Sequence, residues 1–221
     1  LYSNKATIYN NLGEIDRAIE LIDKAIELNN NIELFYFKKS FWLAEKNELT
    51  IALIEIEKAL QLNNEFIMGR ELKIYILELL RSNSQMIIEY IKLIDLEPNE
   101  ISRYVDLSRI LSDELSKSEL ALEYVEKGLE IEENNLLLLI NKATIQYNLS
   151  KIEEAINTIE QALEIDPNNE LVLAKKAFFL YEKGEFNQAL PFIDKAIELS
   201  EDSEDYEWLK LDILSSLEEF N

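Results

Sequence analysis

Apolar side chains recur along this chain with the spacing of one face of an α-helix. Such gaps, mostly of three, four or seven residues, are typical of a helix that buries one side. No alternating strand pattern of useful length interrupts them, so the sequence predicts an all-α protein. The clearest stripes are Ile15, Ile22, Ile26 and Leu28 near the amino terminus, and Ile152, Ile156, Ile159, Leu163 and Ile165 further on.

Pairs of small residues seven positions apart repeat along the chain at a nearly constant interval. The first members of successive pairs stand at positions 18, 52, 86, 121, 155 and 189. A constant interval of this length predicts a solenoid of stacked supersecondary units. The pairs are Ala18/Ala25, Ala52/Ala59, Ala155/Ala162 and Ala189/Ala196, with Met86/Leu93 and Ala121/Gly128 in the matching places.

Each unit has the pattern of two helices joined by a short polar turn. A further small residue stands twelve positions before the first member of most pairs, as Ala6, Ser40, Ala143 and Ala177 do. Two antiparallel helices approach to about 8–10 Å when their contact residues are short. The sequence therefore predicts one solenoid domain over residues 1–221. Its units are predicted at about 1–32, 33–66, 67–100, 101–135, 136–169 and 170–203, with a capping helix at about 204–219.

The composition is typical of helical hairpins and gives no sign of a membrane-spanning segment. The 221 residues are 48% hydrophobic, with four Gly, three Pro and no Cys. No apolar run reaches the roughly 18 residues of a membrane span, so no membrane insertion is expected within this segment. The chain opens at Leu1 inside a predicted helix and without an initiator Met, which predicts a fragment of a longer protein. A cytoplasmic location is the default expectation.

Charge and residue inventory exclude several function classes. The net charge of −22 would repel duplex nucleic acid and anionic membrane surfaces. The absence of His and Cys removes the usual nucleophile pairs and metal ligands, and no Gly-rich phosphate loop exists. We therefore predict no catalytic residue, no cofactor and no metal site.

One acidic run raises the question of a calcium site. The run Glu201, Asp202, Glu204, Asp205 and Glu207 lacks the central Gly and the terminal Glu of a helix-loop-helix calcium site. Acidic residues also favour the N-terminus of a helix through its dipole. We interpret the run as the charged start of the last helix.

The most specific stretch of the chain resembles a named family. Asn141-Lys142-Ala143 through Glu154-Ala155-Ile156, followed by Gln161-Ala162-Leu163-Glu164-Ile165-Asp166-Pro167-Asn168-Asn169, is similar to a near-complete tetratricopeptide repeat. The resemblance covers six units. It is strong for the first, second, fifth and sixth and weak for the third and fourth, since Ile74, Met86 and Leu93 replace small residues and an extra residue precedes Ala121.

The resemblance implies a peptide-binding face on the first helix of each unit. In tandem helical hairpins this helix lines the concave side. Asn4-Lys5-Ala6-Thr7-Ile8 recurs as Asn141-Lys142-Ala143-Thr144-Ile145, and Lys38 and Lys175 follow one unit later. The family uses inward Asn and Lys to hold an extended peptide. The candidate peptide-binding residues are Asn4, Lys38, Phe41, Tyr75, Arg109, Asn141, Lys175, Phe178 and Tyr181.

The chemistry of the predicted groove is not uniform. Asn141 and Lys175 match two places of the carboxylate clamp of chaperone-binding family members, but Leu171, Val105 and Arg109 stand where its other polar residues would be. A full clamp is therefore not predicted. Acidic residues occupy the middle, namely Glu71, Glu78, Asp106 and Asp113. The lysines one place before each small residue, namely Lys5, Lys39, Lys73, Lys142 and Lys176, are expected to serve the scaffold, with heads in water.

These observations predict an all-α right-handed superhelical solenoid that acts as a non-catalytic protein-interaction scaffold. Its partner would be a protein or peptide segment held on the concave face. The alternative is a regulatory or spacer region of a larger enzyme or sensor. In that alternative, its own chain or a neighbouring copy fills the groove, which leaves self-association open.

Overall fold

A computed structural model describes residues 1–112, 117–201 and 203–219 of the chain. Within these ranges the secondary structure is helical, with no strand. The all-α prediction is therefore confirmed. The helices are α1 Tyr2–Asn11, α2 Ile15–Leu28, α3 Glu33–Glu45, α4 Leu49–Leu62, α5 Ile67–Leu79, α6 Asn83–Leu96, α7 Ile101–Ser112, α8 Ser118–Ile131, α9 Leu136–Asn148, α10 Ile152–Ile165, α11 Glu170–Glu182, α12 Phe186–Leu199 and α13 Glu204–Glu219.

The chain divides into two compact units, and each is described by itself. Residues 1–98 form the N-terminal unit, which contains α1 to α6. Residues 99–221 form the C-terminal unit, which contains α7 to α13 among its described residues. Within each unit the odd-numbered helix and the even-numbered helix that follows it form a hairpin.

The turn inside five of the hairpins has the same backbone conformation. One residue in each has a positive φ, which is the left-handed region that glycine adopts without steric cost. Two of the five are glycines, and Asn is the next most tolerant residue there, but Arg and Ser are not favoured. The residues are Gly13 (78°), Asn47 (62°), Arg81 (54°), Ser150 (61°) and Gly184 (85°).

The small residues that set the period line the contacts between helices. Both members of the pair Ala18/Ala25 are buried, and so are Ala155 and Ala162. In the second hairpin the hydroxyl of Ser40 donates to the carbonyl of Ala52 at 2.7 Å, which joins α3 to α4. Small side chains thus allow the close packing that the period predicted.

Two hairpins depart from this plan in opposite directions. In the third hairpin, the positions that hold small residues elsewhere are occupied by Ile74, Met86 and Leu93, which are all buried. In the fourth, a Cβ added to Gly128 would lie 2.7 Å from Leu138 Cδ1. That distance is shorter than packed side chains allow, so even alanine would force the end of the Leu138 side chain to shift.

Helix starts follow the sequence signals. The side chain of Asn135 accepts a hydrogen bond from the backbone N–H of Leu138 at 3.1 Å, and Asn169 caps α11 in the same way. The first turn of α13 carries Glu204, Asp205 and Glu207. Acidic residues at this end agree with the helix dipole, whereas Asp202 of the same run lies outside the described residues.

Candidate functional site

The first helices of the N-terminal unit hold four of the predicted site residues. Lys38 on α3 donates from Nζ to Thr7 Oγ1 at 2.9 Å and to Ser3 Oγ at 3.3 Å on α1. Its ammonium group is thus fixed between two neighbouring first helices. Asn4, on α1, is exposed to solvent.

Phe41 and Tyr75 present apolar surface on the same set of helices. Phe41 on α3 is 41% exposed and Tyr75 on α5 is 50% exposed. Large aromatic side chains with this exposure leave apolar surface that is available to a partner. Within this unit they are the candidate residues that offer apolar contact.

In the C-terminal unit, Asn141 is held by hydrogen bonds to a neighbouring first helix. Its Nδ2 donates to the carbonyl of Val105 at 3.1 Å and to Ser108 Oγ at 2.8 Å, both on α7. The donor side of the amide is therefore used within the unit. Its Oδ1 accepts no hydrogen bond from the described residues and remains available as an acceptor.

Lys175 stands at the place of Lys38, four repeat periods later, but its surroundings differ. The residue that corresponds to Ser3 is Ile140, whose side chain has no hydrogen-bond acceptor, whereas Thr144 keeps the place of Thr7. Among the described residues Lys175 has neither a hydrogen bond nor an ion pair, although it is half-buried. Burial lowers the pKa of the Lys175 ammonium, because removal from water disfavours the charged form.

Aromatic rings form a cluster on α9 and α11 in the same unit. The centroid of Tyr147 lies 5.1 Å from that of Phe178 and 5.4 Å from that of Phe179. Tyr147 also donates its hydroxyl to Glu182 Oε2 at 2.8 Å. Burial and this carboxylate raise the pKa of Tyr147, so the hydroxyl stays protonated as the donor.

Tyr147 was missed by the sequence analysis, although a signal existed. It lies one repeat period before the predicted residue Tyr181. Tyr181 itself packs against Phe186 with ring centroids 5.7 Å apart. The signal is therefore that Tyr147 and Tyr181 occupy equivalent positions of successive repeats.

Arg109 is the remaining candidate and is exposed in the last turn of α7. Asp106, one turn earlier, is half-buried. Asp113, part of the predicted acidic middle, lies outside the described residues. The nine candidates thus divide into four in the N-terminal unit and five in the C-terminal unit.

Four of the five lysines expected to serve the scaffold form ion pairs with the preceding hairpin, and Lys210 on α13 does the same. The fifth, Lys5, lies on the first helix and stands 6.0 Å from the centroid of the Tyr9 ring. Each paired lysine lies sixteen residues after its acid in sequence. The sequence analysis placed these lysine heads in water, but the structure places them against carboxylates. We call these contacts the lysine ladder: Lys39–Asp23 at 2.7 Å, Lys73–Glu57 at 3.1 Å, Lys142–Glu126 at 3.6 Å, Lys176–Glu160 at 2.9 Å and Lys210–Asp194 at 2.7 Å.

The repeated hairpins, the small residues between their helices and the polar first-helix faces define a helical-hairpin repeat protein. Two family models described as tetratricopeptide repeat match the sequence, one over residues 1–32 and the other over residues 150–211. The recognition of tetratricopeptide repeats is thus confirmed for these two stretches of the chain. The comparison with curated proteins found no match.

Solved structures of tetratricopeptide repeat proteins share the fold. A protein from Parabacteroides merdae gives a TM-score of 0.70 at 16% identity, over 99% of this chain and 86% of its own. YrrB, described as a TPR protein with an unusual peptide-binding site, gives 0.67 at 22% identity, over 88% and 97%. The C-terminal part of a repeat protein from Cytophaga hutchinsonii gives 0.68 at 19% identity, over 89% and 78%.

No described helix is both long enough and apolar enough to cross a lipid bilayer.

Proposed function

We propose that this protein is a non-catalytic scaffold that holds an extended peptide of a partner protein against the first helices of the C-terminal unit. The observation that carries the proposal is that the half-buried ammonium group of Lys175 has no hydrogen-bond or ion-pair partner among the described residues. A half-buried ammonium with no acceptor is unfavourable in the free protein, and a partner's carboxylate would remove that cost. The peptide chemistry we propose is therefore a carboxylate flanked by apolar side chains.

Residues around Lys175 support the same ligand chemistry. Phe178 and Tyr147 offer aromatic surface on the neighbouring turns of α11 and α9. Asn141 Oδ1 would accept a hydrogen bond from a backbone N–H of the peptide. The combination of one cation, one amide acceptor and aromatic rings suits an extended segment better than a small metabolite.

The comparisons favour this class of function. Tetratricopeptide repeats act as protein-interaction scaffolds in general, and the YrrB structure is described as having a peptide-binding site. That similarity is one of fold, and the ligand chemistry proposed for this chain rests on Lys175 and its neighbours.

A peptide array tests the proposal directly. Each peptide would be presented in two matched forms, with a free or an amidated C-terminus and with Glu or Gln inside, because only carboxylates should pair with Lys175. We expect binding of carboxylate forms that is lost on Lys175→Glu. The matched control is Lys151→Glu, which makes the same charge change at an exposed residue in the turn after α9.

Circular dichroism would show that both variants remain folded. Undiminished binding by folded Lys175→Glu would place the peptide elsewhere, with the acidic first-helix residues around Glu71 and Asp106 as the next place to examine. Binding that appears only as self-association at high protein concentration would favour the alternative, in which a neighbouring copy fills the groove.

A further inference from the structure

The N-terminal unit contains a second polar site, built from α4, α5 and α6 rather than from the first-helix face described above. Three cations surround one buried carboxylate there. Glu89 Oε2 lies 2.6 Å from Arg70 Nη1, and Glu89 Oε1 lies 3.2 Å from Lys73 Nζ and 3.0 Å from Lys92 Nζ. Lys73 also contacts Glu57 at 3.1 Å.

Glu89 is ionised in this network at neutral pH. It is only 2% exposed, and burial by itself would raise the pKa of its carboxyl. Lys92, Lys73 and Arg70 outweigh burial and hold the pKa of Glu89 below its usual value. Glu89 therefore counts as one full negative charge in the network.

The second hairpin carries the same network without the arginine. Lys39 and Lys58 lie 3.4 Å and 3.0 Å from Glu55 Oε1, and Lys39 also reaches Asp23 at 2.7 Å. Two cations and two carboxylates balance there. Tyr36 occupies the place that Arg70 takes one repeat period later.

Arg70 therefore leaves this network, which joins α5 and α6 to Glu57 of α4, with one positive charge more than its two carboxylates balance. The charged residues of that network are Arg70, Lys73 and Lys92 against Glu57 and Glu89. In a chain of net charge −22 a local excess of positive charge is unusual.

This excess charge borders a cavity. The cavity has a volume of about 440 Å³, and its lining includes Arg70, Lys73, Lys92, Glu57 and Asn64. Arg70 is 8% exposed, and its Nε–H is buried with no acceptor. A buried donor without an acceptor costs free energy that a bound acceptor would recover.

The equivalent cleft in the C-terminal unit is lined by acidic rather than basic residues. It lies two repeat periods further along, where Leu139 replaces Arg70, Gln161 replaces Lys92 and Glu133 replaces Asn64. The cleft between second helices thus recurs in the fold, whereas the excess positive charge is shared neither by the second hairpin nor by this C-terminal cleft.

We propose that the cavity bordered by Arg70, Lys73 and Lys92 binds a carboxylate, supplied by an acidic side chain or a chain terminus of a protein partner. One unbalanced positive charge matches a monoanion better than a phosphate dianion. The carboxylate would accept from the Arg70 guanidinium and from Lys92, whose side chain is 45% exposed and so reachable from solvent. This second binding site does not depend on the peptide site proposed at Lys175.

Nuclear magnetic resonance of the arginine Nε–H groups tests this proposal. Acetate is the probe, titrated into the intact protein at pH 7 with chloride exchanged to hold ionic strength constant. We expect a saturable shift of the Arg70 Nε–H signal, which is assigned by its disappearance in Arg70→Tyr. That variant reproduces the arrangement of the second hairpin, so the fold should tolerate it.

Lys92→Gln supplies the quantitative comparison. The side chain is half-exposed, so its loss should weaken acetate binding roughly two- to five-fold while the fold is kept. Lys58→Gln, at the corresponding place of the second hairpin, should leave the Arg70 signal and its titration unchanged. A linear, non-saturating shift, or equal affinity in Lys92→Gln, would overturn the site. Tighter binding of inorganic phosphate than of acetate would overturn its assignment to a carboxylate.

Discussion

At the scale of single residues, Lys175 and Lys38 occupy equivalent places of the repeat but have different polar surroundings. Both follow the same pattern in sequence, yet Lys38 donates to Ser3 and Thr7 whereas Lys175 has no acceptor among the described residues. Ile140 in place of Ser3 removes one of the two acceptors, whereas Thr144 keeps the place of Thr7. One lysine therefore joins two helices, and the other is the anchor of the proposed peptide site.

Removal of the Lys175 charge should stabilise the free protein. We expect Lys175→Met to raise the free energy of unfolding by about 0.5–1 kcal/mol, because a half-buried cation without a partner is replaced by an apolar side chain. Lys38→Met is the matched control and should lower stability, since it removes two hydrogen bonds. Thermal unfolding followed by circular dichroism measures both, and a destabilised Lys175→Met would mean that Lys175 is well accommodated.

The pH dependence of these two proteins provides an independent check. The pKa of Lys175 is lower in the folded than in the unfolded state, so the unfolded state binds more protons between the two pKa values. The cost of the buried charge is thus full below the folded pKa and is relieved as the pH rises towards 10.5. The stability advantage of Lys175→Met over the natural protein should shrink over this range.

Glu89 should make an acid-sensitive contribution to stability. Its pKa is lowered in the folded state, so the stabilisation is present above the unfolded pKa of about 4.3 and is lost as the pH falls through the folded value. We expect Glu89→Gln to cost roughly 3 kcal/mol at pH 7, because it leaves Arg70 and Lys73 without their shared carboxylate. Urea unfolding at pH 7 and at pH 3 should show the difference from the natural protein narrowing in acid.

At the scale of the helical hairpin, the turn between its two helices carries measurable strain. Arg81 adopts the same positive φ as Gly13, at a cost that glycine does not have. Arg81→Gly should therefore stabilise the protein by about 0.5–1 kcal/mol. Asn47→Gly should gain less, because Asn tolerates this conformation. Equal gains at both positions in chemical denaturation would contradict the explanation.

The buried positions that hold small residues in most hairpins should differ in how well they tolerate larger side chains. Ala155→Leu inserts three carbons into a buried contact and should cost about 1–3 kcal/mol. Met86→Leu changes shape but not size at the corresponding place of the third hairpin, so it should cost less than about 1.5 kcal/mol. If both variants lose the same stability, the alignment of these two hairpins is wrong.

Periodicity made the hairpins predictable, but not the contacts between them. The repeated alanines such as Ala18 and Ala25 carry the fold signal because close packing has to recur in every unit. The lysine ladder was not foreseen, because a separation of sixteen residues has meaning only once the faces of two helices are known to meet. Arg70 was also missed, although a charge at a place held elsewhere by Tyr36 and Leu139 is a signal that an aligned set of repeats displays.

At the scale of the whole molecule, charge should dominate the response to salt. The 44 acidic residues outnumber the 22 basic ones, so the long-range repulsion between carboxylates opposes folding. The ion pairs of the lysine ladder have solvent-exposed carboxylates, so each contributes about 0–1 kcal/mol. Screening by salt should therefore weaken the repulsion between carboxylates more than it weakens the attraction within the ion pairs.

We expect the melting temperature to rise between 10 mM and 200 mM NaCl, where the Debye length shortens from about 30 Å to less than 10 Å. Binding of a carboxylate peptide at Lys175 should weaken over the same range, because that attraction is screened as well. The two measurements should thus move in opposite directions. A melting temperature that falls with salt would show that the ion pairs outweigh the net repulsion.

The lysine ladder also bears on how a chain of this kind could lengthen. Each ion pair of the ladder joins a lysine to an acidic residue sixteen positions earlier in the sequence. Duplication of a complete hairpin preserves this separation on both sides of the new copy. If residues 136–169 were duplicated in tandem, the new copy of Lys142 would meet the original Glu160, and Lys176 would meet the new copy of Glu160. Both junctions would be formed from pairings that the chain already possesses, so growth by whole hairpins would need no new complementary mutation.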